Sequence, residues 1–305
     1  MKFTIYQESR IGKRRSNQDR IAYCYSRDAL LMVVADGMGG HLHGEIAAQI
    51  AVQYITETFQ REAQPTLEDE MLFLSRVLAN AHHAILDYTF DKQLPDPPRT
   101  TIVACVIQNG LAHWAHAGDS RLYVLRDRNV VFHTRDHSRV RVMIEQGLIP
   151  ESEQTTHPLR NRIFSCLGGT HPPQIEFSKR TPLRPGDTLL LCTDGVWGAP
   201  GAEEIIARLD GSDILASMPV LMSEAERLGG PHCDNLSSIA MTWHDEVADA
   251  PPTTISTMTM PMSLFTTKME GFSLSQAPNG EADLSEDEIE RAISEINHAI
   301  QKYSK

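Results

Sequence analysis

Four short acidic segments, each next to an apolar run, contain the residues of this chain that are best suited to chemistry. They are Asp36-Gly37-Met38-Gly39-Gly40, Gly118-Asp119-Ser120-Arg121, Thr193-Asp194-Gly195 and Asp234-Asn235. The first three follow or connect strand-like runs, and the fourth immediately precedes one. An aspartate repeated at strand ends in this way indicates that several carboxylates converge on one metal cluster. The pattern favours a metal-dependent hydrolase.

The expected metal ligands are all oxygen donors. They are the carboxylates of Asp36, Asp119, Asp194 and Asp234 and the backbone carbonyl of Gly37. Hard oxygen ligands suit Mg²⁺ or Mn²⁺ rather than zinc. Four carboxylates gathered without cations would repel one another and some would protonate, whereas a pair of divalent ions removes that penalty. A water between two such ions loses a proton near neutral pH and becomes a nucleophile.

A basic run near the N-terminus could supply the cation that phosphoryl oxygens need. Lys13-Arg14-Arg15 precedes Ser16-Asn17-Gln18-Asp19. The arginine fork matches phosphate geometry better than lysine does, although a basic run of this kind, taken alone, is more often a solvated surface. Asp19 is placed to reach a metal-bound water.

Composition limits the classes of partner and compartment. The chain has 305 residues, of which 41% are hydrophobic and 22% charged, so we expect a packed core. A net charge of -12 argues against nucleic acid as a main partner. No apolar run approaches the roughly 20 residues of a membrane span. The N-terminus lacks an apolar signal core, and five scattered cysteines form no C-x-x-C pair, so a cytoplasmic location is expected.

Alternating strand-like and helical patterns extend over residues 1–245, which we expect to form the catalytic domain. The predicted strands are Leu30–Ala35, Thr101–Ile107, Leu111–Ala117, Arg121–Leu125, Thr188–Thr193 and Leu236–Trp243. The predicted helices are Glu45–Gln60, Leu67–Tyr88, Ser138–Gln146 and Ser212–Leu228. The two strands that flank Gly118-Asp119-Ser120 are expected to form a hairpin whose turn exposes Asp119.

The C-terminal part of the chain differs in composition. Residues 246–283 are rich in Thr, Ser and Met without sustained periodicity, which predicts a flexible linker. Residues 284–305 predict an amphipathic helix, because the capping box Ser285-Glu286-Asp287-Glu288 precedes apolar residues at spacings of four and three. This helix could dock on its own domain, bind a partner or self-associate.

Seven segments together resemble the PP2C (PPM) family, in the order that is typical of it. They are Arg14-x-x-Asn17-x-Asp19, Asp36-Gly37-Met38-Gly39-Gly40-His41, Gly118-Asp119-Ser120-Arg121, Asp136-His137-Ser138, His157-Pro158-x-Arg160-Asn161, Thr193-Asp194-Gly195 and Asp234-Asn235. The resemblance covers Met1 to about Trp243. It implies a bacterial-type, metal-dependent serine/threonine protein phosphatase with an α+β fold, an αββα sandwich of two antiparallel sheets flanked by helices.

The resemblance also implies a role for each ligand. Asp36 would bridge two ions, and the carbonyl of Gly37 would bind one of them. Asp194 and Asp234 would complete the first metal's shell. Asp119 would hold a third, weaker ion together with Asp194.

Other roles follow from the same resemblance. Asp19 would act through metal-bound waters, and Arg14 would bind the substrate phosphate. The metal-bridging hydroxide would attack phosphorus directly, without a phosphoenzyme. Residues 139–167 would form a flap beside the active site. His41 is a candidate proton donor to the leaving oxygen, but the family's eukaryotic-type members place that histidine where this chain has Met38, so a structural role is the alternative.

The implied partners are phosphorylated proteins and a eukaryotic-like Ser/Thr kinase with opposing action. Two alternatives remain: another two-metal phosphoesterase, or an inactive or regulated phosphoprotein-binding adaptor on the same fold. A cysteine-based phosphatase is disfavoured, because no cysteine is followed six positions later by arginine. Zinc chemistry is also disfavoured, because the 13 histidines are scattered; His82 and His83 are expected at the surface.

Overall fold

The computed structural model describes residues 1–38, 43–199, 206, 209 and 213–245. In that part of the chain the strands are β1 (Phe3–Arg10), β2 (Arg20–Tyr25), β3 (Ala29–Ala35), β4 (Ile102–Gln108), β5 (Leu111–Ala117), β6 (Arg121–Arg126), β7 (Asn129–His133), β8 (Glu176–Phe177), β9 (Thr181–Pro182), β10 (Thr188–Cys192) and β11 (Leu236–Trp243). The helices are α1 (Gly44–Glu62), α2 (Glu70–Asp91), α3 (Arg139–Glu145), α4 (Asp194–Trp197) and α5 (Ile214–Gly229), with 3₁₀ turns at Glu151–Glu153 and Gly230–His232.

The strands form two antiparallel sheets. The first sheet has the order β1-β11-β10-β6-β7, and the second has the order β2-β3-β4-β5-β8, with β9 paired to β5. One apolar cluster fills the space between the sheets, a second joins α1 and α2 to the second sheet, and a third joins α4 and α5 to the first. The result is the expected α+β fold, an αββα sandwich.

Strand β3 shows why the central strands read as continuous apolar runs. Its successive side chains point to opposite faces of the sheet. Leu31 and Val33 pack under α1 and α2, whereas Leu30 and Met32 pack against the opposite sheet. Both faces of the strand are therefore shielded from solvent, and every one of its residues is buried.

The strand registers bring the acidic segments to one edge of the sandwich. In the first sheet, Cys192 at the end of β10 pairs with Arg121 at the start of β6 and with Ser238 near the start of β11. In the second sheet, the end of β3 pairs with the start of β2, and the start of β4 pairs with the end of β5. Each acidic segment continues from one of these termini.

The predicted hairpin around Asp119 is wrong. Strand β5 belongs to the second sheet and β6 to the first, so Gly118-Asp119-Ser120 crosses from one sheet to the other. Gly118 has φ +117°, and a Cβ there would lie 2.6 Å from the Thr101 Cβ. A tight turn between two apolar strands has the same local sequence in both arrangements, and only the choice of pairing partners distinguishes them.

The strands and helices predicted from the sequence match observed elements to within about three residues at each end. Strands β1, β2, β7, β8 and β9 and helix α4 were not predicted. His82, expected at the surface, is buried, and its Nδ1 accepts a hydrogen bond from the Gly168 amide at 3.1 Å. His41, the linker at 246–283 and the helix at 284–305 lie outside the described residues. Among the helices that are described, none combines the length and apolar character needed to span a bilayer.

Candidate active site

Five aspartates lie at the edge of the sandwich where both sheets end. Asp19 directly precedes β2, Asp36 directly follows β3, Asp119 lies between β5 and β6, Asp194 begins α4, and Asp234 lies two residues before β11. Two adjoining cavities of about 450 and 230 Å³ open here, and Asp119, Asp194 and Asp234 line both. The structure thus brings together the carboxylates that the sequence singled out.

The hydroxyl groups of Thr100 and Thr101, which directly precede β4, hold Asp36 in place. The Asp36 amide donates to Thr101 Oγ1 at 3.1 Å, and the Asp36 carbonyl accepts from Thr100 Oγ1 at 2.9 Å. Thr101 Oγ1 also lies 2.7 Å from Ser120 Oγ, in the turn that carries Asp119. These buried contacts tie the β3 end to the β5–β6 crossing.

Two glycines beside the aspartates are required by the packing of the backbone. A Cβ on Gly195 would lie 2.0 Å from the Asn235 carbonyl oxygen. A Cβ on Gly37 would lie 2.5 Å from the backbone of Gly44, at the start of α1. At both positions, another chain segment approaches too closely for any side chain larger than that of glycine.

Asn235 fixes the loop that carries the basic run. Its Nδ2 donates to the carbonyls of Ile11 and Ser16 at 2.9 and 3.0 Å, and its Oδ1 accepts from the Gln18 amide at 2.9 Å. Sequence reasoning noted Asn235 only as the neighbour of Asp234. The buried Asn235 side chain therefore positions this loop through three backbone contacts. No local pattern in the sequence indicates this role.

Arg14 faces the acidic cluster from the rim of the cleft. Its Nε and terminal nitrogen donate to the two Asp234 oxygens at 2.8 and 2.6 Å. The arginine side chain is 53% exposed, so it has room to reorient. The guanidinium forms a bidentate fork with a carboxylate, and phosphate accepts the same geometry.

Burial and mutual repulsion raise the pKa values of four carboxyls in the cluster. Burial, reinforced by Asp194 and Asp234, raises the pKa of Asp19 to about 7, although hydrogen bonds from Ser237 and Thr193 oppose the shift. Burial and the charge of Asp234 raise the pKa of Asp194 to about 6. The pKa values of Asp36 and Asp119 are raised well above the ordinary range for the same reasons, burial first and neighbouring carboxylates second.

This electrostatic arrangement fits a site for divalent cations. Several buried carboxylates that resist ionisation in each other's company become favourable once positive charge lies among them. The donors are all oxygens, which suits Mg²⁺ and Mn²⁺. Asp36, Asp194, Asp234, Asp119 and the Gly37 carbonyl, with Asp19 beside them, could hold such ions.

A buried ion pair connects the Asp119 turn to the flap. Arg121 donates to both Asp136 oxygens at 2.7 and 2.8 Å, and its guanidinium lies 3.6 Å from the Trp197 ring centre. Trp197 Nε1 donates to the Asp119 carbonyl at 2.9 Å. Gln154, within the flap segment, donates to Asp136 at 2.7 Å.

The flap segment itself borders the cleft. Ser138 caps α3 by accepting from the Arg141 amide, which starts the segment at a fixed point. Arg160 and Asn161 line the smaller cavity, and Asn161 also lines the larger one together with Ile163. The expected flap position beside the aspartates therefore has geometric support.

A second group of potential metal ligands was missed by sequence reasoning. His116, His137 and Glu176 place one ligand atom each within 4.8 Å of the others. They are far apart in sequence, and the signal that could have found them is the pairing of β5 with β8, which the sequence did not predict. The cluster contains nitrogen donors and is separate from the five aspartates.

A family model described as protein phosphatase 2C matches residues 6–218. The chain belongs to the protein phosphatase 2C family. The assignment made from the sequence motifs is confirmed, and with it the enzyme class, a protein phosphatase.

Similar proteins include a Streptococcus pyogenes protein described as a putative protein phosphatase 2C-type, which is 30% identical over 241 residues covering 78% of this chain and 96% of the relative. The crystal structure of the Mycobacterium tuberculosis serine/threonine phosphatase PstP/Ppp superposes with a TM-score of 0.70 at 27% identity, covering 80% of this chain and 99% of that one. A structure of the PstP catalytic domain in complex with two manganese ions has a TM-score of 0.67 at 26% identity, over 80% and 99% of the two chains.

Proposed function

We propose that this phosphatase hydrolyses phosphoserine and phosphothreonine in proteins, using two Mn²⁺ or Mg²⁺ ions with a third, weaker site. The observation that carries the proposal is the group of five aspartates at one edge, whose pKa values are raised for Asp19, Asp36, Asp119 and Asp194 by burial and mutual repulsion. Two comparisons support the proposal: a relative named as a serine/threonine phosphatase, and the structure of the PstP catalytic domain in complex with two manganese ions.

The division of the aspartates between the ions follows the resemblance to the family. Asp36, at the end of β3, would bridge two ions, with the Gly37 carbonyl on one of them. Asp194 and Asp234 would complete the first site, and Asp119 with Asp194 would hold the third ion. When bound, the ions supply a water of lowered pKa and neutralise charge that develops on the phosphoryl oxygens.

Arg14 would exchange partners when substrate arrives. In the structure its fork is occupied by Asp234. With a divalent ion bound there, the Asp234 carboxylate would no longer need Arg14 to compensate its negative charge. The guanidinium would then be available to bind two phosphoryl oxygens. Arg14 therefore orients the phosphate next to the aspartates.

Hydrolysis without a phosphoenzyme is consistent with the side chains around the cleft. Cys233 is the cysteine that lines the smaller cavity in the described part of the chain. Burial raises the pKa of its thiol, so the thiolate required for nucleophilic attack is scarce at neutral pH. Water is then the better nucleophile, and His41 stays a candidate for protonating the leaving oxygen.

The substrates would be phosphoproteins, and the opposing enzyme a eukaryotic-like Ser/Thr kinase. The cleft is open at the rim, where Arg14 is half-exposed, so a phosphorylated residue on an exposed segment could enter. The expectation of such a kinase comes from the family and not from any residue of this chain.

Hydrolysis of a phosphothreonine peptide tests the proposal. The wild type, Asp36→Asn and the control Asp127→Asn, which removes a charge from an exposed turn, are compared in EDTA, Mg²⁺ or Mn²⁺. We expect metal-dependent phosphate release by the wild type and the control, and a loss of at least about 100-fold in Asp36→Asn. Equal turnover in all three proteins, or turnover unaffected by EDTA, would refute the metal-dependent mechanism.

A further inference from the structure

His116, His137 and Glu176 form a compact group on the second sheet, beside the flap. His116 on β5 and Glu176 on β8 are direct partners in the antiparallel register, so their side chains lie on the same face. His137 follows β7, and its ring stacks on that of His116 with centroids 4.7 Å apart. Both histidines are buried, whereas the Glu176 side chain is 48% exposed.

His116 has a free lone pair in this group. Its Nε2 lies 2.8 Å from the Arg135 carbonyl, and because a carbonyl only accepts, Nε2 carries the ring hydrogen. Burial lowers the pKa of His116, so the ring is neutral and Nδ1 is unprotonated. Nδ1 is buried and has no hydrogen-bond partner. A histidine oriented by a backbone carbonyl through one nitrogen, with the other free, is typical of a metal ligand.

The spacing of the other two ligands also fits an ion better than a hydrogen bond. His137 Nε2 and Glu176 Oε2 are 3.4 Å apart, which is beyond the usual range of about 2.7–3.2 Å for such a bond. Two ligands that each lie about 2.0–2.1 Å from a tetrahedral ion are separated by about 3.4 Å. Glu176 is the exposed member, so it can move the remaining distance toward His116.

We propose that His116, His137 and Glu176 bind a divalent transition ion of the zinc class, with the fourth position open to solvent beside Glu176. His116 would ligate through Nδ1, His137 through Nε2 and Glu176 through its carboxylate. Two imidazoles and one carboxylate are a donor set that suits zinc, whereas the all-oxygen aspartate cluster suits magnesium and manganese. The chain would then hold two metal centres of different selectivity.

Binding at His137 Nε2 requires a change of tautomer. Nδ1 of His137 accepts from the Gly118 amide at 3.3 Å, so the hydrogen of the neutral ring lies on Nε2. An ion at Nε2 displaces that hydrogen, which moves to Nδ1, and the long bond from Gly118 is lost. Phe164, near the end of the flap, stacks on the same ring with centroids 5.6 Å apart, so an ion at His137 would hold both ends of the flap against β5.

Cobalt substitution tests the proposal on the full chain. Co²⁺ is titrated in excess Mg²⁺, which occupies the aspartates, and visible absorption is recorded, since tetrahedral Co²⁺ with nitrogen ligands absorbs strongly and octahedral Co²⁺ with oxygen ligands absorbs weakly. Glu176→Gln is compared with Glu153→Gln, a matched change at an exposed residue outside the cluster. Circular dichroism checks that both variants are folded.

We expect one strongly absorbing Co²⁺ per chain in the wild type and in Glu153→Gln, displaced by Zn²⁺. In Glu176→Gln the affinity should fall by at least about 10-fold. His116→Gln, with folding checked in the same way, should lose the strong absorption. Absence of the band in the wild type, or equal affinity in Glu176→Gln and Glu153→Gln, would overturn the proposal.

Discussion

Replacing Asp19 with asparagine should stabilise the chelator-treated protein near neutral pH while removing metal-dependent activity. The pKa of Asp19 is raised from 3.8 to about 7, chiefly by burial. Each unit corresponds to about 1.4 kcal/mol, so ionising Asp19 opposes folding by about 4 kcal/mol above pH 7. Asparagine keeps an acceptor for the Thr193 hydroxyl, which donates at 2.9 Å, and removes the charge. Because the amide is itself a buried polar group, we expect a net gain of about 2–4 kcal/mol.

The gain from Asp19→Asn should depend on pH with a definite sign. Below pH 3.8 the carboxyl is protonated in both folded and unfolded chains, so the variant gains nothing from the missing charge. As pH rises from 3.8 to about 7, the unfolded wild type ionises while the folded wild type resists, and wild-type stability falls. The difference between the two proteins should therefore grow over that window and level off above it.

Urea denaturation in EDTA at several pH values between 4 and 8 measures this difference. Asp127→Asn serves as the control, because it removes a charge from an exposed turn and should change stability by less than about 0.5 kcal/mol. With Mn²⁺ present, the wild type should gain more stability than Asp19→Asn. An Asp19→Asn protein that is no more stable than wild type at pH 8, or a difference that is constant with pH, would contradict the reasoning.

Three further substitutions probe the supports of the site. Arg121→Met leaves the buried Asp136 carboxylate without its bidentate partner and should destabilise the protein by about 3–5 kcal/mol in urea denaturation; a loss under 1 kcal/mol would contradict this. Thr101→Val leaves the Asp36 amide without its hydroxyl acceptor and should raise the Mn²⁺ concentration for half-maximal activity, which a metal titration measures; an unchanged midpoint would be contrary evidence. Arg14→Lys loses the fork and should lower kcat/KM for a phosphopeptide by about 10-fold or more, and equal kinetics would rule out phosphate binding by Arg14.

The candidate metal ligands could be singled out from the sequence because each one lies beside a strongly apolar strand. Strand β3 is buried on both faces, so its end is sharply marked by Asp36. The same reasoning failed for β1 and β2, most of whose residues are only partly buried, and for β8 and β9, which have two residues each. Whether so short a segment forms a strand depends on its pairing with a neighbouring strand rather than on its own composition.

Contacts between distant segments were beyond the reach of local patterns. Asn235 bonds to the backbone of Ile11, Ser16 and Gln18, and His116 lies opposite Glu176. These residues are far apart in the sequence, and the pairing of the strands brings them together. The wrong hairpin at Asp119 has the same origin, since pairing partners are decided by the whole sheet. His82 was expected at the surface for a similar reason, as its buried partner Gly168 lies 86 residues away.

The aspartates are attached to two different sheets, and this affects how the site can change. Asp19 and Asp36 extend from the second sheet, whereas Asp194 and Asp234 extend from strands of the first. Their separation therefore depends on the thickness of the apolar layer between the sheets, which packed sheets keep near 10 Å. A larger or smaller side chain at Met32, deep in that layer, would shift one pair of carboxylates relative to the other. If the aspartates hold ions as proposed, affinity for those ions can be altered by substitutions in the core that touch neither ion nor substrate.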